Sequence, residues 1–149
     1  MSYHKILVAV DFSGMASTVL AHAGEEARLH QAELTLLHIL DTQIMDLQLP
    51  EELLPSSLEM MQRLRSLAQE RLDALQKSTS VPSHGLLLEK AGGIGRNICE
   101  YAAEGGYNLI VIGSQEQGAI GRLLLGSVAS AVVHHAHCPV LVVKAPAAA

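Results

Sequence analysis

Five short apolar segments alternate along the chain with segments whose apolar residues recur every three or four positions. The apolar segments are rich in Val, Ile and Leu, and three of them are almost continuously apolar, which is typical of parallel strands covered on both faces. The predicted strands lie at 5–10, 33–40, 84–90, 108–113 and 139–144. The helical periodicity predicts helices over 14–30, 57–77, 94–104 and 127–136.

This alternation predicts one α/β domain over residues 1–149, built as a single doubly wound, five-stranded parallel sheet. The longest irregular segment, 41–56, contains two prolines and is predicted to be a loop. In such sheets, ligands bind beyond the carboxyl ends of the strands, at the point where the strand order reverses. If the first three strands build one way and the last two the other, that crevice lies between strands 1 and 4.

The composition argues against two classes of partner. A net charge of −5 gives no general attraction to nucleic acid or to an anionic membrane, and 3% aromatic residues cannot form a base-stacking platform. No segment approaches the roughly 20 apolar residues that span a bilayer, and the N-terminal apolar run is too short for a signal peptide. We therefore expect a cytoplasmic protein with no nucleic-acid or membrane partner.

The cysteines and histidines do not form a recognisable metal motif. Cys99 and Cys138 lie in apolar surroundings without CxxC spacing and are predicted to be buried, reduced thiols. The segment HHAHC (134–138) would place His134 and His137 on one helical face, but a structural zinc ion needs four converging ligands. Histidines are also favoured at a helix C-terminus by the helix dipole. We predict no metal site, and His38 is expected to be a hydrogen-bonded core residue.

A glycine-spaced segment, 113–127, follows the fourth predicted strand. Gly113 would let a ligand approach the backbone, while Gly126 and Ser127 open the next helix, whose N–H groups and dipole attract an anion. Neither GxGxxG nor GxxxxGK[ST] is present. Two interpretations stay open: a phosphate-binding loop, or a tight turn at Gly113 followed by a helix that Ser127 caps.

The chain as a whole resembles a universal stress protein of the UspA-like family. The segments KILVAVDFS, LTLLHIL, NLIVIGS and LLLGSVASAVVHHAHCPVLVVK carry the likeness across residues 3–144. The resemblance implies an adenine nucleotide alpha hydrolase-like fold of strand order 3-2-1-4-5 that usually forms dimers. One branch of the family binds ATP through the pattern G-x2-G-x9-G-[ST], and the other branch lacks that pattern and is not known to bind nucleotide.

The family pattern is only partly present in this chain. Gly113 matches its first glycine, and Gly126 and Ser127 match its closing pair, but the middle glycine is replaced by Glu116. The Glu116 side chain adds bulk and a charge of the wrong sign. At an effective dielectric constant of about 20, a carboxylate about 4 Å from a phosphate charge costs about 4 kcal/mol. The resemblance thus implies an ATP site, with or without Mg²⁺, that Glu116 weakens.

The other positions that match the family's ligand contacts follow the first, second and fourth strands. Asp11 would accept a hydrogen bond from a sugar hydroxyl or the adenine amino group, or would instead cap the helix that begins near Ser13. The remaining matched positions are apolar residues beside the base and backbone N–H groups beside the phosphates. They are Ala9, Val10 and Ile39 at the base, Ile112 before Gly113, and Val128 and Ala129 after Ser127.

The expected function is a dimeric binding module of the stress response that answers to an adenine nucleotide. The alternative is a nucleotide-free relative that acts only through protein–protein contacts, and Glu116 favours it. The sequence has no nucleophile elbow and no evident acid/base pair, so it does not predict an enzyme. Slow ATP hydrolysis stays open. The last strand, 139–144, is expected at the edge of the sheet, where unpaired backbone groups favour a homodimer.

Overall fold

The computed structural model describes residues 2–42, 52, 54–114 and 125–144, within which strands and helices alternate strictly. Every predicted element is present, with ends that differ by a few residues. The elements are β1 (Lys5–Ala9), α1 (Ala16–His30), β2 (Glu33–Asp41), α2 (Leu54–Ser78), β3 (Ser83–Lys90), α3 (Ile94–Glu104), β4 (Leu109–Gly113), α4 (Ser127–His135) and β5 (Val140–Val143).

The five strands form one parallel sheet of order β3-β2-β1-β4-β5. The chain builds outwards from β1 to β3 and then crosses to the other side of β1 to add β4 and β5. This confirms the predicted doubly wound fold and its strand order. The order reverses between β1 and β4, whose register pairs Ile6 with Leu109 and Ala9 with Ile112.

Two cores cover the two faces of the sheet because successive strand side chains point to opposite faces. On β1, Ile6 and Val8 pack with α1 and α2, while Leu7 packs with α3 and α4. All three side chains are fully buried. The continuously apolar strands of the sequence are therefore explained by burial on both faces, as expected for a parallel sheet.

Helix α2 begins three residues earlier than predicted. Pro55 is its second residue, a position where the missing backbone N–H costs no helical hydrogen bond. The rest of the predicted loop, residues 43–51 and 53, lies outside the described residues. α2 is 25 residues long, yet neither it nor any other helix in the described part of the chain is long and apolar enough to cross a membrane.

Candidate functional site

A cavity of about 300 Å³ opens at the carboxyl ends of β1 and β4, at the point where the strand order reverses. It lies where the sequence predicts the ligand crevice. Nine of the ten predicted site residues line it. They are Ala9, Val10, Asp11, Ile39, Ile112, Gly113, Gly126, Ser127 and Val128.

The tenth residue, Ala129, is fully buried behind the first turn of α4 and does not line the cavity. Its side chain packs in the core between α3, α4 and the sheet. Only its backbone N–H can therefore serve a ligand at this helix end. Glu116 and the rest of the segment 115–124 lie outside the described residues, so the middle of the family pattern stays a prediction.

Asp11 shapes the turn that links β1 to α1. Its Oδ1 accepts the backbone N–H of Ser13 at 3.1 Å, and the hydroxyl of Ser13 accepts the N–H of Met15 at 3.3 Å. Helix α1 begins only at Ala16, and its N-cap, Met15, makes no side-chain capping bond. The interpretation of Asp11 as a helix cap is therefore wrong, because the carboxylate closes a local turn three residues before the helix.

The first turn of α4 begins beside the cavity, and among the described residues no side chain caps it. Gly126 is the N-cap, no side-chain capping bond is made, and its carbonyl accepts the first helical N–H, that of Ser130, at 2.8 Å. Ser127 is thus the first helical residue, and the interpretation of Ser127 as the cap is wrong. The N–H groups of Ser127, Val128 and Ala129 have no acceptor within the helix, so this end of the cavity favours an anion.

Gly113 fits a tight contact between β4 and the neighbouring helix. A Cβ at this position would lie 3.0 Å from Cγ2 of Val19 and 3.8 Å from Cε of Met15. Contacts as short as 3.0 Å force the neighbouring side chain to move. Gly113 therefore lets β4 approach α1 closely, and it also lines the cavity.

Sequence reasoning missed six residues of the cavity wall. They are Ala16, Val19, Leu37, His38, Ile94 and Ile98. Five of them are apolar and belong to the periodic stripes of α1, α3 and β2, so nothing in their local sequence sets them apart from other core positions. His38 is half-buried, with Nδ1 at 2.7 Å from the carbonyl oxygen of Val10, which fits the predicted hydrogen-bonded histidine.

The histidine-rich segment does not form the helical face that the sequence predicts. α4 ends at His135, and Ala136 is extended with ψ of 144°, so His134 and His137 do not share a helical face. Across the described ranges, no group of three or more His, Cys, Asp or Glu side chains could hold a metal ion.

The two thiols differ in burial. Cys99 is buried and donates its S–H to the carbonyl of Val132 at 3.6 Å, whereas Cys138 is half-buried rather than buried as predicted. Neither cysteine forms a disulfide. Burial raises the pKa of both thiols, and for Cys99 the neighbouring Cys138 adds to the effect.

The model of the universal stress protein family matches residues 2–144. Universal stress protein MJ0531 of Methanocaldococcus jannaschii is 34% identical, over 97% of this chain and 84% of that protein.

Two solved structures share the fold over nearly their full length. Protein MJ0577 superposes with a TM-score of 0.81 at 25% identity, covering 99% of this chain and all of that one. The universal stress protein of Archaeoglobus fulgidus in complex with dAMP superposes with a TM-score of 0.64 at 27% identity, covering 97% of this chain and 100% of that one. On the family match and the sequence identity together, the chain belongs to the universal stress protein family.

Proposed function

We propose that this protein is a cytoplasmic stress-response module that binds an adenine nucleotide in the crevice between β1 and β4. One observation carries the proposal: a single cavity joins apolar walls, the carboxylate of Asp11 and the uncapped N-terminus of α4. A nucleoside monophosphate has three parts that complement these: an apolar base face for the walls, sugar hydroxyls for the carboxylate, and an anionic phosphate for the helix N-terminus. The relative from Archaeoglobus fulgidus, which shares the fold, was solved with dAMP.

Asp11 and the apolar wall would hold the nucleoside. Asp11 uses Oδ1 to close its own turn, which leaves Oδ2 to accept a hydrogen bond from a ribose hydroxyl. The base would lie against Ala9, Val10 and Ile39, at the ends of β1 and β2. The phosphate would meet the N–H groups and the Ser127 hydroxyl at the start of α4.

With ATP, further phosphates extend beyond this helix end and bring Mg²⁺ with them. Of the residues that the structure describes along the cavity, Asp11 is the only carboxylate, so it is the candidate metal contact. A single carboxylate provides no acid/base pair for efficient hydrolysis. The function proposed is therefore binding, and nucleotide acts by favouring one loop or dimer arrangement over another.

The test starts with mass spectrometry of small molecules released when the purified protein is denatured, and continues with calorimetry using AMP, ATP and GMP. We expect an adenine nucleotide to be recovered or bound, and GMP to bind more weakly. Gly126→Val is expected to abolish AMP binding while adenosine still binds, since φ of −60° and ψ of 163° suit valine and the fold should persist. AMP binding that survives Gly126→Val would place the phosphate elsewhere.

A second candidate function is a nucleotide-free module, favoured by Glu116 at the position of the middle glycine. In that case neither AMP, ATP nor adenosine binds to the parent protein. Glu116→Gly would then restore binding, because the rest of the site is present. Failure of both the parent and Glu116→Gly to bind any adenosine compound would contradict the nucleotide proposal as a whole.

The proposal also includes a homodimer through the edge strand 139–144. β5 is outermost in the sheet, and Val140, Leu141 and Val142 are only partly buried. Two copies of this strand can pair about a two-fold axis and cover these side chains. Val143 is 5% exposed and belongs to the core, so a charge there would damage the fold as well as the dimer.

Leu141→Lys is the better probe of this interface, and Leu29→Lys is its control because Leu29 is 65% exposed on α1. By analytical ultracentrifugation, we expect the parent and Leu29→Lys to sediment as dimers and Leu141→Lys as a monomer. A monomeric parent, or a dimeric Leu141→Lys, would show that β5 is not the interface.

A further inference from the structure

We propose that His38 is the positioning residue of this site: it anchors the residues on both sides of Asp11 and so fixes where the Asp11 carboxylate stands. The expected effect on ligand affinity rests on the proposed function, whereas the anchoring itself is a property of the ligand-free protein. His38 lies near the end of β2 and lines the cavity. It lies on the face of the sheet that packs against α1 and α2, the same face as Leu36 and Leu34, which precede it by two and four residues.

The first anchor is the carbonyl of Val10, at the point where the chain leaves the sheet. The paired residues of β1 and β2 end with Ala9 and Leu37. The N–H of Val10 still donates to the carbonyl of Leu37 at 2.9 Å, but the Val10 carbonyl accepts from the His38 side chain at 2.7 Å. The imidazole thus extends the connection between the two strands by one hydrogen bond.

This contact also fixes which ring nitrogen carries a proton. A carbonyl oxygen can only accept a hydrogen bond, so Nδ1 of His38 must be the donor. A leucine of similar size cannot replace it, because leucine has no donor. An asparagine can, because its side-chain N–H₂ group lies at about the same distance from Cβ as Nδ1 of histidine does.

The second anchor is the ring of Phe12, the residue that follows Asp11. The Phe12 ring centroid lies 4.3 Å from that of His38, with the planes inclined by 35°. The guanidinium carbon of Arg71, on α2, lies 5.7 Å from the Phe12 ring centroid, within cation–π range. Asp11 is therefore held between two residues that both contact His38.

The turn beyond Asp11 depends on these anchors. The N–H of Ser13 donates to Oδ1 of Asp11, so this bond requires that Asp11 stays in place, whereas the N–H of Met15 donates to the Ser13 hydroxyl. If Val10 and Phe12 are released, the carboxylate can move away from the cavity and the Ser13 amide loses its acceptor. The effect should be local, because the Val10 N–H bond and the paired strands do not involve the imidazole.

The first experiment measures hydrogen exchange in the ligand-free protein, in the parent, His38→Leu, His38→Asn and the control His84→Leu, which alters an exposed histidine of β3. In His38→Leu we expect exchange of the Ser13 amide to speed up about 5- to 10-fold relative to the amides of Ile110 and Val111 in β4. In His38→Asn and His84→Leu we expect rates close to the parent's. Unchanged rates in His38→Leu, or equal acceleration in β4, would overturn the anchoring role.

The second experiment measures AMP affinity by calorimetry in the same variants, with and without Asp11→Ala. We expect His38→Leu to weaken binding about 3- to 10-fold, His38→Asn to recover most of it, and His38→Leu to add no further loss once Asp11 is alanine. Losses that add up fully would overturn the claim that His38 acts through Asp11. If neither the parent nor Glu116→Gly binds any adenosine compound, the proposed function is refuted, and hydrogen exchange then decides the anchoring alone.

Discussion

Replacing Gly95 with alanine should destabilise the protein, although alanine is the better helix former. Gly95 lies in the first turn of α3, where a Cβ would come 2.5 Å from Cβ of Ala131 and 3.0 Å from the carbonyl oxygen of Val128, both on α4. Carbon atoms in contact normally lie about 3.5–4 Å apart. The two helices must therefore separate by roughly 1 Å at this point.

The expected magnitude follows from two opposing effects. Overpacking of a tight contact costs about 1–3 kcal/mol, and replacing glycine by alanine within a helix gains about 1 kcal/mol. Because the clash at Gly95 involves backbone as well as a side chain, the cost should lie in the upper part of its range. We expect a net loss of about 1–2 kcal/mol in the free energy of unfolding.

The measurement is urea denaturation, followed by circular dichroism, of the parent, Gly95→Ala, Ala131→Gly and the double variant. Ala131→Gly alone should cost about 1 kcal/mol through helix propensity. It also removes the atom that lies 2.5 Å from the new Cβ, so the double variant should be more stable than the sum of the two single changes predicts. A Gly95→Ala protein as stable as the parent, or strictly additive changes, would refute the packing argument.

Three further predictions concern the loop charge, the thiols and a partly buried pair of hydroxyl groups. By calorimetry, Glu116→Gly should tighten ATP binding more than adenosine binding. Glu116→Gln keeps the bulk of the side chain and should recover the part of the affinity gain that is due to charge. Equal effects on ATP and adenosine would contradict the electrostatic argument. Because burial raises the pKa of Cys99 and Cys138, the thiolate fraction at about pH 8 is low. Iodoacetamide should then label the native protein more slowly than the urea-unfolded chain. The labelling rate of the native protein should keep rising with pH beyond the pH range in which an ordinary thiol ionises. A native labelling rate equal to that of the unfolded chain would be inconsistent with buried thiols. Tyr107→Phe should lower the free energy of unfolding by about 1 kcal/mol, since the Tyr107 hydroxyl donates a hydrogen bond to the hydroxyl of buried Thr35 at 3.0 Å. An unchanged free energy of unfolding on urea denaturation would show that water replaces this hydrogen bond without cost.

The sequence by itself determined the elements and their order. Continuous runs of Val, Ile and Leu mark strands that are buried on both faces of the sheet, and apolar residues at helical spacing mark the helices. Both patterns are local, so the sequence alone is enough to recognise them. The rule that a doubly wound sheet binds ligands where its order reverses then placed Asp11 and Gly113 at one crevice, and both line the same cavity in the structure. The edge position of the last strand follows from the same strand order.

Only the tertiary structure decided which partners these residues have. The sequence suggested helix caps for Asp11 and Ser127, but the helices begin at Ala16 and at Ser127 itself, and neither side chain caps a helix. The contact of His38 with Val10 spans 28 residues and exists only because the register of β1 and β2 brings the two strand ends together. The tight space at Gly113 likewise arises from Val19 on a neighbouring helix. Contacts between distant segments depend on register and on the approach of packed layers, and local residue patterns do not encode these distances.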